Sequence, residues 1–153
     1  MAKRVGKEPN PNKPIVYLPG VFDLFHRGHL EFIRKGRKVA EEKGLELVVG
    51  VQDDQSVNDQ KGKNPICTVE NRMEIVSEIK GVSRVLKYSN TYQAALLQNE
   101  NVKVFIVSED YGTKDIDQKD TLDAAKSLKI ELVRVPYYQG ISSSFLREHF
   151  PCE

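Results

Sequence analysis

Residues 14–44 read PIVYLPGVFDLFHRGHLEFIRKGRKVAEEKG, and the order of residue types in this stretch decides the fold. The run from Pro14 to Gly20 is apolar and β-branched and closes on Pro19 and Gly20, which predicts a buried strand followed by a turn. Beyond Gly28, the residues Phe32, Ile33, Gly36, Val39 and Ala40 share one helical stripe that stops at Gly44. The stretch is a strand, a glycine-containing turn and a helix, and its turn holds two of the three histidines, His26 and His29.

The same alternation continues downstream. Leu45 to Val51 reads as a strand, and Asp53 to Cys67 as a polar loop with its lysines grouped. Thr68 is a natural N-cap for a helix whose Val69, Met73, Val76 and Ile79 share a face. A short strand at Arg84–Tyr88, a helix at Thr91–Glu100 and a strong strand at Val102–Ser108 follow. Leu122, Ala125 and Leu128 recur at helical spacing, Ile130–Pro136 is the last strand, and Ser142 starts a closing helix. Strands alternating with helices predict a three-layer α/β/α, Rossmann-like domain with a mainly parallel sheet, whose ligands bind at the carboxyl ends of the strands.

Composition sets outer bounds. The chain of 153 residues is 39% hydrophobic and 29% charged, as in a single globular domain, with residues 15–153 expected as that domain and 1–14, charged and proline-rich, as a flexible tail. A net charge of +1 excludes a polyanion-coating role, so no nucleic acid is expected as partner. Cys67 and Cys152 lack CxxC spacing and read as free thiols of a reducing cytoplasm. No segment has the apolar length of a signal peptide or a membrane span.

The turn at Gly20–His29 admits three chemistries. A glycine-flanked loop running into a helix exposes N–H groups at the positive end of the helix dipole, which suits a phosphate, and two imidazoles add donors. A metal pair is the second, although no cysteine or carboxylate cluster supplies further ligands at a recognisable spacing. A structural turn is the third, and spacing alone leaves it level with phosphate binding.

GVFDLFHRGH resembles the G-x-F-D-x-x-H-x-G-H signature of the cytidylyltransferase-like nucleotidyltransferases through Gly20, Phe22, Asp23, His26, Gly28 and His29. QKGKNPICTVENR resembles the Lys-Gly and Glu-x-Arg segment of choline-phosphate and ethanolamine-phosphate cytidylyltransferases, which puts Lys61 and Arg72 at phosphate-binding positions. Asp110 and Tyr111 fall where the family carries an acid and an aromatic near its second substrate. GISSSFLR resembles the closing I-S-T-T-type motif, which implies that Ser142, Ser143, Ser144 and Arg147 meet the triphosphate. His149 matches nothing in the pattern and reads as structural.

The resemblance implies transfer of CMP from CTP to a small phosphorylated alcohol of the phosphoethanolamine, phosphocholine or glycerol 3-phosphate type, with release of pyrophosphate. His26, His29, Lys61 and Arg72 become the catalytic set; Mg²⁺, held mainly by the triphosphate, is the cofactor; and a homodimer is the expected state. Asp23 either orients the turn or meets substrate. One departure bears on the base: many cytidylyltransferases of the family carry Arg-Thr where this chain has Tyr137 and Tyr138, so an adenylyltransferase for a sugar phosphate stands as the alternative, with Tyr137 stacking on either base. A non-catalytic nucleotide-binding module is the alternative of another class.

Overall fold

The computed structural model describes residues 4–6 and 12–150. The opening stretch forms strand β2 (Ile15–Gly20) and helix α1 (Arg27–Lys43), which Gly44 ends in the left-handed conformation. Strands β3 (Glu46–Gln52), β4 (Val82–Tyr88), β5 (Val102–Ser108) and β6 (Glu131–Val135) complete a parallel sheet in the order β4-β3-β2-β5-β6. The parallel strands therefore begin at β2 in the middle and wind outward both ways, which opens a crevice at the carboxyl ends of β2 and β5.

Helices cover both faces. Ile33 and Ala40 of α1, with Met73 and Val76 of α3 (Val69–Ser77), pack on Val16, Leu18, Val49, Val85 and Ile106. Leu97 of α4 (Ala94–Asn99) and Ala125 of α5 (Ile116–Ser127) pack on Tyr17, Val48, Leu86, Phe105 and Val107 on the other side. The three central strands, β2, β3 and β5, are buried and apolar along most of their length on both faces, as the middle of a parallel sheet requires, whereas the outer strand β6 is largely exposed. Tyr17 is wholly buried and threads its hydroxyl across Gly50 to donate to Gln93 Oε1 at 2.5 Å; a Cβ at Gly50 would lie 2.1 Å from the Tyr17 hydroxyl oxygen.

Two expectations change. Arg4–Gly6, expected in a flexible tail, is strand β1, paired antiparallel with β4, so the sheet has six strands; residues 1–3 and 7–11 lie outside the described residues. The expected loop 53–67 contains helix α2 (Asp54–Lys61), capped by Asp53 Oδ1 accepting from Ser56 N at 2.8 Å and stopped by Gly62 at φ 77°. Only Val57 of α2 is buried, so no hydrophobic stripe marked it.

Candidate nucleotide site

The crevice is a cavity of about 630 Å³ at the carboxyl ends of β2, β3, β5 and β6. It brings together His26, His29, Lys61, Ser142, Ser143, Ser144, Arg147, Tyr111 and Tyr137, with Gly20, Phe22, Asp23 and Gly28 in its wall. These residues are spread along the sequence from Gly20 to Arg147, and the strand order places them in one space.

The histidines start helix α1. His26 is the N-cap: its Nδ1 accepts from Gly28 N at 3.0 Å, while His29 Nδ1 accepts from His26 N at 3.2 Å. This is a reciprocal capping box built from imidazoles in place of hydroxyl and carboxylate. Both Nδ1 atoms are acceptors, so each neutral ring carries its proton on Nε2 and offers that N–H as a donor. The rings stack at 3.9 Å between centroids, and Phe22 and Phe25 pack against His29. Burial, then the neighbouring His26, pushes His29 down to about 3; burial lowers His26 as well. The free site thus presents two neutral donors with fixed tautomers.

Asp23 holds the loop. Phe22 (φ 57°) and Leu24 (φ 52°) lie on either side of it in the left-handed region, at about 1–2 kcal/mol each. That turn directs Asp23 inward, where its carboxylate accepts from Ile66 N at 2.8 Å and Cys67 N at 2.9 Å and pairs with Arg147. Its carbonyl accepts from Ser143 Oγ at 2.7 Å. Burial would raise its pKa, but the Cys67 and Ile66 N–H bonds and Arg147 outweigh that and hold it below the usual value. These contacts let Asp23 tie the histidine turn to the segment before α3 and to helix α6 (Ser143–His149).

Arg72 does not stand on the cavity wall. Its side chain is 1% exposed, donating from Nε to Cys67 O at 3.0 Å, from Nη1 to Val21 O at 2.6 Å and Gln52 O at 2.8 Å, and from Nη2 to Asp54 at 2.7 Å. The expected phosphate fork is instead spent on three carbonyls and a carboxylate that hold the loops after β2 and β3. Asp110 is also absent from the wall: its carboxylate accepts from Tyr137 OH at 2.5 Å and Ser108 Oγ at 3.0 Å. Tyr111 reaches the wall but packs edge-on against Phe105. His149 donates from Nδ1 to Phe145 O at 2.9 Å and stacks on Phe145.

Lys61 ends α2 on the wall, with no hydrogen bond to another described side chain. Desolvation and then the repulsion of Arg147 lower its pKa, with Lys63 and Arg72 adding to the effect against Asp23. Lys35 and Lys63 are further cations in the wall, and its acids, Asp23 and Glu31, are engaged, Glu31 by Arg27 and Arg34 at 2.8 Å each. The net result is a positive cavity suited to a polyanion. Among the described residues no three histidine, cysteine or acidic side chains converge to hold a metal, and no helix is long and apolar enough to cross a membrane.

A family model described as Cytidylyltransferase-like matches residues 17–149. The ethanolamine-phosphate cytidylyltransferase of Dictyostelium discoideum is 42% identical over 82 residues, 53% of this chain and 22% of that protein. The FAD synthase of Pyrococcus horikoshii is 34% identical over 125 residues, 80% of each chain, and the bifunctional protein HldE of Helicobacter hepaticus is 30% identical over 135 residues, 88% of this chain and 26% of that one. This chain therefore spans about a fifth of the cytidylyltransferase that it matches. A lipopolysaccharide core biosynthesis protein from Thermoplasma volcanium shares the fold at a TM-score of 0.66 and 24% identity, over 82% of this chain and 98% of that one.

Proposed function

Because the chain belongs to the cytidylyltransferase-like family of nucleotidyltransferases, we propose that it transfers a nucleotidyl group from a nucleoside triphosphate to a phosphorylated acceptor, releasing pyrophosphate. The observation that carries this reading is the reciprocal cap, which leaves two Nε2–H donors in fixed orientation in a positive cavity.

An oxygen of the acceptor's phosphate attacks the α-phosphorus, and the bond from the α-phosphorus to the bridging oxygen breaks as pyrophosphate departs. The nucleophile arrives already ionised, so the protein's task is positioning and charge stabilisation. His26 and His29 donate to the phosphate oxygens as charge moves onto the leaving group. Lys61 neutralises the α-phosphate against the incoming anion, and Arg147 with the Ser142–Ser144 segment binds the distal phosphates. Mg²⁺ held mainly by the triphosphate and water would supply further neutralisation.

For the donor we favour CTP and for the acceptor a small phosphorylated alcohol, giving a CDP-alcohol. The motif resemblance and the 42% identity to an ethanolamine-phosphate cytidylyltransferase support this. A second reading, AMP transfer from ATP, has its own support: the FAD synthases match 80% of both chains, and Tyr137 and Tyr138 replace the Arg-Thr of many CTP users. The 82-residue match is shorter than the interval from His26 to Arg147, so its identity cannot cover both halves of the site. A cytoplasmic homodimer completes the proposal on the family resemblance alone, with sedimentation as its test.

The deciding experiment is pyrophosphate release with CTP or ATP against a panel of phosphorylated acceptors. Turnover with CTP supports the first reading and ATP-only turnover the second. Nucleotide binding without turnover on any acceptor overturns both in favour of a binding module.

A further inference from the structure

One side of the cavity is built from uncharged side chains that no phosphate role absorbs. The histidines, Ser142–Ser144 and Arg147 come from β2, α1 and α6, whereas the ends of β3 and β4, with α2 and α5, contribute Gln52, Gln60, Tyr88 and Gln118. We infer that this side receives the non-phosphate part of the acceptor and that the acceptor is a polyol phosphate, recognised by the uncommitted carbonyl of Gln52 and the uncommitted amide of Gln118. The inference rests on the nucleotidyl-transfer reading and selects among its acceptors.

Hydrogen bonding sets which end of each amide is free. The Asp115 carboxylate only accepts, so Gln60 meets it through Nε2, at 2.8 Å, and turns its Oε1 toward Gln52. Gln52 donates from Nε2 to that oxygen at 3.3 Å, which leaves Gln52 Oε1 as an acceptor on a residue only 3% exposed. Gln118 accepts from Gly112 N through Oε1 at 3.0 Å, so its Nε2–H groups are donors. One fixed acceptor and one fixed donor match hydroxyl groups, which do both.

An ammonium head group fits poorly there. The primary ammonium of ethanolamine offers only donors, which Gln118 would face with another, and the trimethylammonium of choline offers none to the Gln52 carbonyl. The wall's acids, Asp23 and Glu31, are paired, and Asp115 sits behind Gln60 with its oxygens taken by Gln60, Gln118 N and Thr91. Lys61 and Lys63 border this side and repel a cation. Tyr88 and Tyr111, 8% and 9% exposed, are too covered to present the open ring faces of an ammonium cage.

The test compares kcat/KM for glycerol 3-phosphate and sugar phosphates against phosphoethanolamine, phosphocholine and flavin mononucleotide, each with CTP and with ATP. The best polyol phosphate is expected to exceed the best aminoalcohol phosphate at least tenfold. Gln118→Glu keeps an oxygen for Gly112 N and so preserves the turn, but replaces the donor by an anion. It is expected to raise the polyol KM about tenfold, leave the nucleotide KM within twofold, and shift the preference toward phosphoethanolamine, a shift that loss of fold would not produce. A wild-type preference for an aminoalcohol phosphate or the flavin, or an unchanged ratio in Gln118→Glu, overturns the inference and leaves nucleotidyl transfer standing. Absence of pyrophosphate with every pair overturns both.

Discussion

Replacing Arg72 separates a buried tie from a phosphate ligand. Its guanidinium serves three backbone carbonyls and the half-exposed Asp54, all at 3.0 Å or less. Hydrogen bonds involving a charged group contribute about 1.5–3 kcal/mol each, and removing one partner of a buried ionic network costs about 3–5 kcal/mol in total because the losses are not additive. Asp54 has a side-chain exposure of 39% and rehydrates, so the lower half of that range, about 3–4 kcal/mol, applies to Arg72→Met. At about 2–4 °C per kcal/mol for a domain of this size, the melting midpoint should fall by roughly 6–16 °C. Arg72→Lys keeps the charge but loses the fork and should lie between. The assay is thermal unfolding followed by near-UV circular dichroism, with nucleotide titration on the same samples below the transition. A midpoint within 2 °C of wild type, together with a tenfold weaker nucleotide affinity in both variants, would refute the buried-tie argument and restore Arg72 to the phosphates.

Three further outcomes follow from the geometry. His29→Ala removes a preorganised donor and should cost about 2.7–4 kcal/mol of transition-state stabilisation, read as a 10²- to 10³-fold drop in kcat by pyrophosphate release; unchanged turnover would sink the proposed role. His29 is held down to about 3 against roughly 6.5 unfolded, so the unfolded chain binds its proton first; stability is full above pH 6.5 and should fall by up to about 1.4 kcal/mol per pH unit below it, as checked by denaturant midpoints between pH 7 and 4. Gly50→Ala would set a Cβ 2.1 Å from the hydroxyl of the fully buried Tyr17, and should destabilise by about 1–3 kcal/mol in urea titrations; Tyr17→Phe should recover part of that loss.

Much of this was legible because apolar patterning and motif coincide. The α1 stripe and its Gly44 stop, the alternation of strands and helices, and the Ser142 cap all rest on local rules that the packed protein keeps. Helix α2 was not legible, since Val57 alone is buried and its start and stop lie in polar sequence. Strand β1 owes its place to a partner about eighty residues away, and three residues hold no periodicity. His26 as an N-cap has no propensity rule behind it, because imidazole is not among the usual capping side chains. Arg72 was placed at the phosphates by the motif resemblance, and only the fold shows three carbonyls converging on it. The amides Gln52, Gln60 and Gln118 carry no motif; topology alone assembles them.

The cap at the start of α1 has an evolutionary consequence. The hydrogen bonds that fix the two imidazole tautomers are the same ones that begin the longest helix of the domain. A descendant that gave up the reaction would still need a cap at both positions, and selection for folding alone would admit the usual hydroxyl or carboxylate at the first and Glu or Gln at the second. Retention of imidazole at both in a distant copy would therefore point to the chemistry and not to folding alone. Lys61, which is hydrogen-bonded to no other described side chain, is the position where abandonment of the chemistry should first become visible.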